Sequence, residues 1–537
     1  DYTDTTPDTT AFNPATRGFS VTSAEVAQFG YVFSTTSMQL PELIKIDFAP
    51  IAINDLRVEN ASAGGILVIK VIDETGPSTV GDLVLGKVYG GTSVDLRAAH
   101  SILDLFDDVD APIVNVLTDG ANGSGNVYLE AGEDIGTATN YFDVTIGGVL
   151  TGQLGDDAFI RSLGDIKIGV GPAVVDGRFE SLDGNVTFTV DGIANVGLIV
   201  ALGDGVADPT TSLTDGVVKI DATQYIRDRR DDVLPSIRAT GAVLIAGLGV
   251  GSAADPFETQ ISRLEASVPG GGIWLDNYGD FEIGNISPLV GVSALGEINL
   301  SAFSTMTVNE DVISVNGPIL LDASGDIVVK ALIRSGGPSL IRLTADQDLA
   351  GGGGITMFNG SHIEALDGYV DLNATNNIVL SNVVAVQVDA DTTSGAILDT
   401  DEPGSADTDL EIVASAAQLQ AQGNIGTSVN PLEVDVSFLE GLSVNGGIYI
   451  DDQNGIVLGT IGLVGLLQNT PLVGLKARQS IRVTTTGFMR VKENVESEDA
   501  EVTLQTIDSA VMTVLPQLNG SSAVSPLDGS DSDEDLT

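Results

Sequence analysis

The chain has 537 residues, 75 of them acidic and 23 basic, and a formal net charge of −52 at pH 7. It contains no cysteine, which excludes a disulfide scaffold and thiolate chemistry. It also has few basic residues for the phosphate contacts that nucleic acids require, so nucleic acid is not an expected partner. Hydrophobic residues make up 43% of the chain and aromatic residues only 5%. We therefore expect a folded protein with a large aliphatic core.

The two ends of the chain differ in composition from the middle. Residues 1–11 (DYTDTTPDTTA) are rich in Thr and Asp, and residues 516–537 end in the acidic sequence GSDSDEDLT. We interpret both as solvated termini, or as assembly segments that order against a neighbouring subunit. Residues 399–409 (DTDEPGSADTD) predict an acidic surface loop between packed segments.

Between these ends, short runs of β-branched and aliphatic residues alternate with Gly, Asn and Asp. Residues 185–190 (NVTFTV), 296–300 (GEINL) and 325–329 (GDIVV) are examples. Such alternation is the pattern of β-strands, and Gly, Asn and Asp supply turns with positive φ at low cost. The pattern predicts an all-β fold. The best candidate for a helix is residues 96–106 (LRAAHSILDLF).

A long stretch of the chain is repeated. Residues 249–258 (GVGSAADPFE) recur 175 residues later as 424–433 (NIGTSVNPLE), and the agreement continues without gaps through 261–286 and 436–461. A weaker third copy, residues 134–143 (DIGTATNYFD), precedes the first by 115 residues. One short coil cannot bury its apolar face alone, whereas stacked coils bury a continuous core. We therefore expect a β-solenoid.

A known group of proteins carries similar sequences. The runs GNIGTSVNPLEVDV (423–436) and GGIYIDD (446–452), and coils of the form Gly-(Asp/Glu)-Ile-x-(Leu/Val)-x-Ala, resemble large secreted bacterial surface proteins related to filamentous haemagglutinin. The resemblance spans residues 126–491 and is strongest at 237–286 and 412–461. It implies a right-handed parallel β-helix and a role as an adhesin, a fibre or surface-layer material.

The expected organisation follows from these patterns. It is an N-terminal flexible or assembly segment at 1–11, an N-terminal β domain at 12–125 (a β-sandwich or a cap), a β-solenoid at 126–398, the acidic loop at 399–409, a solenoid continuation with a C-terminal cap at 410–515, and the acidic tail at 516–537. No apolar run approaches the roughly 20 residues of a membrane-spanning helix, so we expect no membrane span. A first residue other than Met favours a processed, exported product, extracellular or at the cell surface.

The sequence offers little catalytic machinery. His100 and His362 are the two histidines, and without cysteine they leave few ways to activate a nucleophile. Parallel β-helix pectin hydrolases carry a Gly-His-Gly turn, whereas His362 follows Gly360-Ser361 and lacks the Arg-Ile-Lys run of those enzymes. We expect neither enzyme activity nor a required cofactor.

Acidic clusters offer oxygen ligands for hard cations. They are Asp104 with Asp107, Asp108 and Asp110; Asp399 with Asp401, Glu402, Asp407 and Asp409; and Asp451 with Asp452. None follows the EF-hand loop or the Gly-rich calcium nonapeptide, and each also has the simpler interpretation of a solvated acidic turn. Calcium is still an expected partner, because a column of coils with 52 net negative charges repels itself without cations. Its candidate ligands are the second and third clusters.

Three functions are open on the sequence alone. The first is a structural, self-assembling subunit of a bacterial surface layer, fibre or matrix, which associates with itself through terminal segments or coil edges. The second is an adhesin that binds surface glycans. The third and weakest is a polysaccharide-active enzyme on the same fold.

Overall fold

The chain folds into two compact units in the computed structural model. The first comprises Asp1–Gly270 and Ile286–Leu289, and the second comprises Gly271–Asn285 and Val290–Thr537. The structure describes residues 32–34, 43–48, 55–71, 81–106, 112–120, 125–169, 177–203, 216–230, 233–286, 289–346, 352–400, 409–459, 472–507, 512–514 and 518–519.

Every regular element in the described residues is a β-strand. The first unit contains β1 (Val32–Ser34), β2 (Leu43–Phe48), β3 (Leu56–Ala63), β4 (Ile66–Val71), β5 (Leu83–Gly90), β6 (Ser93–Ala98), β7 (Ile102–Asp104), β8 (Val116–Thr118), β9 (Asn126–Ala131), β10 (Phe142–Thr145), β11 (Leu150–Leu154), β12 (Ala158–Ser162), β13 (Ile166–Ile168), β14 (Phe179–Ser181), β15 (Val186–Val190), β16 (Ala194–Val196), β17 (Ile199–Ala201), β18 (Val217–Ala222), β19 (Tyr225–Asp228), β20 (Ile237–Arg238), β21 (Gly241–Ala246), β22 (Gly249–Val250), β23 (Phe257–Gln260) and β24 (Arg263–Val268).

The second unit is built in the same way. It contains β25 (Gly272–Asn277), β26 (Phe281–Ile283), β27 (Val292–Ala294), β28 (Ile298–Ala302), β29 (Met306–Val308), β30 (Val312–Ser314), β31 (Ile319–Ala323), β32 (Ile327–Val329), β33 (Leu332–Ser335), β34 (Leu340–Ala345), β35 (Ile355–Met357), β36 (His362–Ala374), β37 (Ile378–Leu380), β38 (Asn382–Thr392), β39 (Ile397–Asp399), β40 (Ile412–Ala421), β41 (Leu432–Ser443), β42 (Ile448–Asp452), β43 (Gly455–Leu458), β44 (Leu475–Ala477), β45 (Ile481–Thr485), β46 (Phe488–Val491), β47 (Val495–Ser497), β48 (Val502–Thr506), β49 (Met512–Val514) and β50 (Leu518–Asn519).

The strands pair in parallel with strands one to three places further along the chain, as β40 does with β41 and β28 with β31. In the second unit, β28 pairs with β31 and β31 with β34, which brings Leu300, Leu321 and Leu343 into one row. All three leucines are fully buried, whereas the residues that precede them, Asn299, Leu320 and Arg342, are half-buried. Parallel pairing of successive coils around an aliphatic interior is the architecture of a parallel β-solenoid, so the all-β solenoid prediction is confirmed.

Side chains in the turns connect one coil to the next. The Asp326 carboxylate accepts a hydrogen bond from the Gly354 amide (2.8 Å), and the Asn377 side-chain oxygen accepts one from the Ala396 amide (2.9 Å). These amides lie at turns, where the strand ladder does not satisfy them. The Asp and Asn residues that punctuate the sequence therefore act as acceptors for the following coil as well as turn formers.

The N-terminal part of the chain corrects one expectation. Residues 96–106 are not a helix: β6 and β7 cover most of them, and Val94, Leu96 and Ala98 are buried with the period of two of a strand. Strands β3, β4, β5 and β6 pair in parallel with later coils, as in the register of Val94 with Val127. The described strands between Leu56 and Asp104 are therefore part of the parallel ladder of the first unit.

The described residues contain no helix long and apolar enough to cross a bilayer.

Candidate metal centre

The repeated motif forms the same turn three times. We call these turns A (residues 135–143), B (250–258) and C (425–433). The second residue of each is a glycine at positive φ: Gly136 at 70°, Gly251 at 59° and Gly426 at 63°. A hydroxyl oxygen in each turn then accepts a hydrogen bond from the amide three residues later: Thr137 from Asn140 (3.0 Å), Ser252 from Asp255 (3.2 Å) and Thr427 from Asn430 (2.9 Å). The weaker third copy is thus a true structural repeat.

The coil before each turn supplies an aspartate at the same place. The first residue of each turn pairs in parallel with an isoleucine of that coil: Ile135 with Ile102, Val250 with Ile226 and Ile425 with Ile397. Two residues after each isoleucine lies an aspartate: Asp104 for turn A, Asp228 for turn B and Asp399 for turn C. Strand register, rather than distance along the sequence, therefore brings these aspartates to the turns.

A second residue of the preceding coil completes the arrangement. Its amide donates to the carbonyl of the last turn residue: Asn115 to Asp143 (2.8 Å), Ser236 to Glu258 (2.8 Å) and Glu411 to Glu433 (3.0 Å). We call the resulting groups site A (Asp104, Asn115, Asp143), site B (Asp228, Ser236, Asp255, Glu258) and site C (Asp399, Glu411, Asn430, Glu433). Sites A and B lie in the first unit and site C in the second.

Site C gathers three carboxylates. Asp399, Glu411 and Glu433 each offer one oxygen, and these oxygens all lie within 4.8 Å of one another. Glu411 is 1% exposed, and its Oε2 accepts the Glu433 amide at 2.7 Å. The Asn430 side-chain Nδ2 donates to Asp399 Oδ2 at 2.6 Å.

The electrostatics of site C disfavour three bare carboxylates. Burial, followed by the charge of Asp399, raises the pKa of Glu411 to about 10. Burial is also the main reason that the pKa of Glu433 rises to about 7, and the charges of Asp399 and Asp451 add to it. Asp451 is the register partner of Glu433 on the next coil. A proton or a metal cation has to offset this negative charge.

Site B gathers three more carboxylates, those of Asp228, Asp255 and Glu258, with oxygens again within 4.8 Å of one another. Asp228 Oδ1 accepts hydrogen bonds from the Ser236 hydroxyl (2.7 Å) and the Arg230 amide (3.0 Å). Burial, together with the charge of Asp228, raises the pKa of Glu258 to about 8. The Arg230 guanidinium lies 3.9 Å from Asp228 Oδ1, so a basic group offsets part of the negative charge here.

The structure brings together part of the predicted ligand set. Asp399 belongs to site C, and Asp451 lies beside it on the next coil. Asp452 does not join them, because it accepts hydrogen bonds from the Thr485 hydroxyl (2.7 Å) and the Val436 amide (3.3 Å). Asp409 is not one of the three carboxylates that converge at site C. Asp401, Glu402 and Asp407 lie outside the described residues, as do Asp107, Asp108 and Asp110.

The sequence analysis missed Glu411, Glu433, Asp228, Asp255 and Glu258 as ligands. A signal for two of them was present, because Glu258 and Glu433 are identical positions of the repeat. Of the two histidines, His100 Nδ1 lies 2.6 Å from Asp82 Oδ1, and His362 Nδ1 lies 3.1 Å from Asn382 Oδ1.

Comparison of the chain with protein-family models, with curated proteins and with solved structures gives no match. The resemblance to filamentous-haemagglutinin-like proteins therefore stays a prediction.

Proposed function

We propose that the chain is a structural extracellular protein, a self-assembling subunit of a bacterial surface layer, fibre or matrix. The observation that carries this proposal is the in-register parallel stacking of coils in both units, as in the row of Leu300, Leu321 and Leu343. Each coil satisfies the backbone of its neighbour, so the fold gains length and stiffness by repetition alone. A material protein needs these properties, whereas an enzyme does not.

The ends of the stack supply a means of association. Within the described residues, the strands furthest along the chain that pair with a preceding coil are β48, β49 and β50. A solenoid presents the backbone edge of its final coil to a neighbour unless a cap covers that edge. Addition of a second molecule at such an edge would continue the parallel ladder.

The charge of the chain sets the conditions for such assembly. With a net charge of −52, copies repel one another at low ionic strength. Divalent cations reduce this repulsion both by screening and by binding to carboxylates. We therefore expect calcium to promote association more than sodium chloride of equal ionic strength does.

Electron microscopy of the purified chain tests this proposal. We expect filaments or sheets in calcium chloride, and single particles in chelator or in sodium chloride of matched ionic strength. Analytical ultracentrifugation of the same samples measures the mass change. A chain that stays monomeric in all three conditions would contradict the self-assembling role.

An adhesin is the second candidate, and one observation favours it. The ring centroids of Tyr278 and Phe303 lie 4.9 Å apart in the second unit, and Phe303 is 50% exposed. Exposed aromatic faces can stack on the apolar faces of sugar rings. The matched variants are Phe303→Ala and, as a control, Phe358→Ala, which removes a phenylalanine that is 49% exposed in another coil. Saturable binding to a glycan array that is lost in the first variant alone would support the adhesin.

A further inference from the structure

Sites A, B and C occupy equivalent places in the fold but differ in charge. Site A has two carboxylates, with Asn115 at the position that Glu411 occupies in site C. The difference extends to the next coil, where the register partner of Asp143 is Arg161 and that of Glu433 is Asp451. Site A therefore has the Arg161 guanidinium at the position where site C has the additional carboxylate of Asp451.

At site A, the protein's own side chains offset part of the negative charge. Arg161 Nε and Nη2 both lie 2.6 Å from the carboxylate oxygens of Asp143, which is completely buried. The Asn115 side-chain Nδ2 donates to Asp104 Oδ1 and to the carbonyls of Leu85 and Gly86. Donors from the protein thus reach both carboxylate oxygens of Asp143 and Oδ1 of Asp104.

Site C keeps the same backbone arrangement without those donors. Glu411 Oε2 accepts the Glu433 amide at 2.7 Å, just as Asn115 Oδ1 accepts the Asp143 amide at 2.7 Å. A glutamate has no N–H to offer Asp399, however. Glu433 Oε2 and Asp451 Oδ1 are buried and have no hydrogen-bond partner within the described part of the chain. The nearby Arg482 instead donates to the Ser428 carbonyl at 3.0 Å.

Site B is intermediate between sites A and C in how far protein side chains offset its negative charge. Glu258 is only 6% exposed, and its Oε2 has no hydrogen-bond partner among the residues that the structure describes. The same holds for Oδ2 of Asp228, which is 7% exposed. Buried acceptor oxygens without donors are costly, and here they point to a missing positive ligand. Arg230, 3.9 Å from Asp228, supplies part of the charge.

We infer that sites B and C each bind one hard divalent cation, of which calcium fits best, that site C binds it more tightly than site B, and that site A binds none. Every side-chain ligand offered is an oxygen, as calcium prefers, and backbone carbonyls and water would complete its six to eight ligands. The order of affinity follows from the number of carboxylates at each site and from the presence of Arg161 or Arg230.

The competing explanation is that a shared proton, rather than a metal, neutralises each group of carboxylates. Isothermal titration of the chelator-treated full chain with calcium chloride at pH 7.5 separates the two. We expect two bound ions, with two affinities. Titration without heat, together with an unfolding midpoint that is the same in calcium and in chelator, would overturn the inference.

Matched variants assign the two ions. Glu433→Gln is expected to weaken the tighter ion by more than about tenfold, and Glu258→Gln to do the same to the weaker one. Asp435→Asn is the control, because Asp435 lies on the same strand as Glu433 but binds Asn454 instead (2.7 Å). Loss of the tighter ion in Asp435→Asn, or its retention in Glu433→Gln, would contradict the assignment.

A third variant keeps the test valid if Glu433→Gln folds poorly. Asp451→Arg places a guanidinium at the position that Arg161 has in site A. We expect this variant to fold in chelator, to bind one calcium ion rather than two, and to have an unfolding midpoint that calcium shifts less than in the parent chain. Binding of two ions with unchanged affinities would count against site C.

Discussion

Arg161 and Asp143 form a bidentate ion pair between adjacent coils of the first unit, with both N–O distances 2.6 Å. The carboxylate is completely buried and the guanidinium largely so. This pair is the charge-balanced version of an arrangement that recurs twice in the chain with other residues. Sites B and C lack an equivalent close pair, which motivates the cation sites there.

Removal of the Arg161 guanidinium should destabilise the first unit. Arg161→Met leaves the Asp143 carboxylate buried and unpaired, and we expect a loss of about 3–5 kcal/mol in the free energy of unfolding. Urea denaturation followed by far-UV circular dichroism measures the loss. Arg57→Met is the control, because Arg57 and Glu59 are exposed and 3.8 Å apart, so their pair contributes at most about 1 kcal/mol. Equal losses in the two variants would refute this account of site A.

Turn C depends on a glycine for two separate reasons. Gly426 has a φ of 63°, and an added Cβ would overlap the Tyr449 carbonyl oxygen of the next coil. Gly337 has a similar φ of 71° but open space around its Cβ position. We expect Gly337→Ala to cost about 1–2 kcal/mol from backbone strain alone, and Gly426→Ala to cost clearly more. The fluorescence of Trp274, the single tryptophan and a residue of the second unit, monitors both.

The leucine row should account for much of the stability of the second unit. Leu321 is fully buried between Leu300 and Leu343, whereas its neighbour Leu320 points outwards and is half-buried. Leu321→Ala is expected to cost about 2–5 kcal/mol, because it leaves a cavity between close-packed coils. Leu320→Ala removes the same atoms from the outer wall and should cost much less. The urea midpoint of Trp274 fluorescence compares them, and similar midpoints would exclude an aliphatic interior at this row.

The half-buried Asp391 should contribute more stability to the second unit in mild acid than in base. Burial, and then the charge of Asp371, raises the pKa of Asp391. Its Oδ1 is buried without a hydrogen-bond partner in the described residues, and its register neighbours, Asn373 and Gln420, are uncharged. The folded chain therefore holds this proton more tightly than the unfolded chain does. The resulting stabilisation is complete below the ordinary value of 3.8 and is lost as the pH rises through the raised pKa.

The corresponding variant is Asp391→Asn, which removes the charge and keeps the shape. We expect it to be more stable than the parent chain at pH 8, with a difference that shrinks towards pH 4. Asp367→Asn is the control, because Asp367 is exposed in the preceding coil. Thermal unfolding across this pH range measures both, and a constant difference for Asp391→Asn would show that charge is not the cause.

The sequence was sufficient to predict the strands, the stacked coils and the repeated turn, because each depends on short-range patterns. Asp399 and Asp451 were also found, as members of acidic runs. Glu411 was not, because its equivalents are Asn115 and Ser236, so the repeat contains no matching acid. It also lies 22 residues before Glu433, and only strand register brings the two together. The helix expected at residues 96–106 was wrong because the window omitted Val94, whose burial with Leu96 and Ala98 establishes the period of two.

The parallel ladder has a consequence for how the chain acquires its structure. Phe142 pairs with Ile160, and Gly441 pairs with Leu475. Each strand thus finds its partner within a few tens of residues, although the chain has 537. A polypeptide that emerges from its N-terminus, whether from a ribosome or through a narrow pore, can add one rung at a time to the part already formed. Folding of such a chain can therefore begin before its C-terminal residues have emerged.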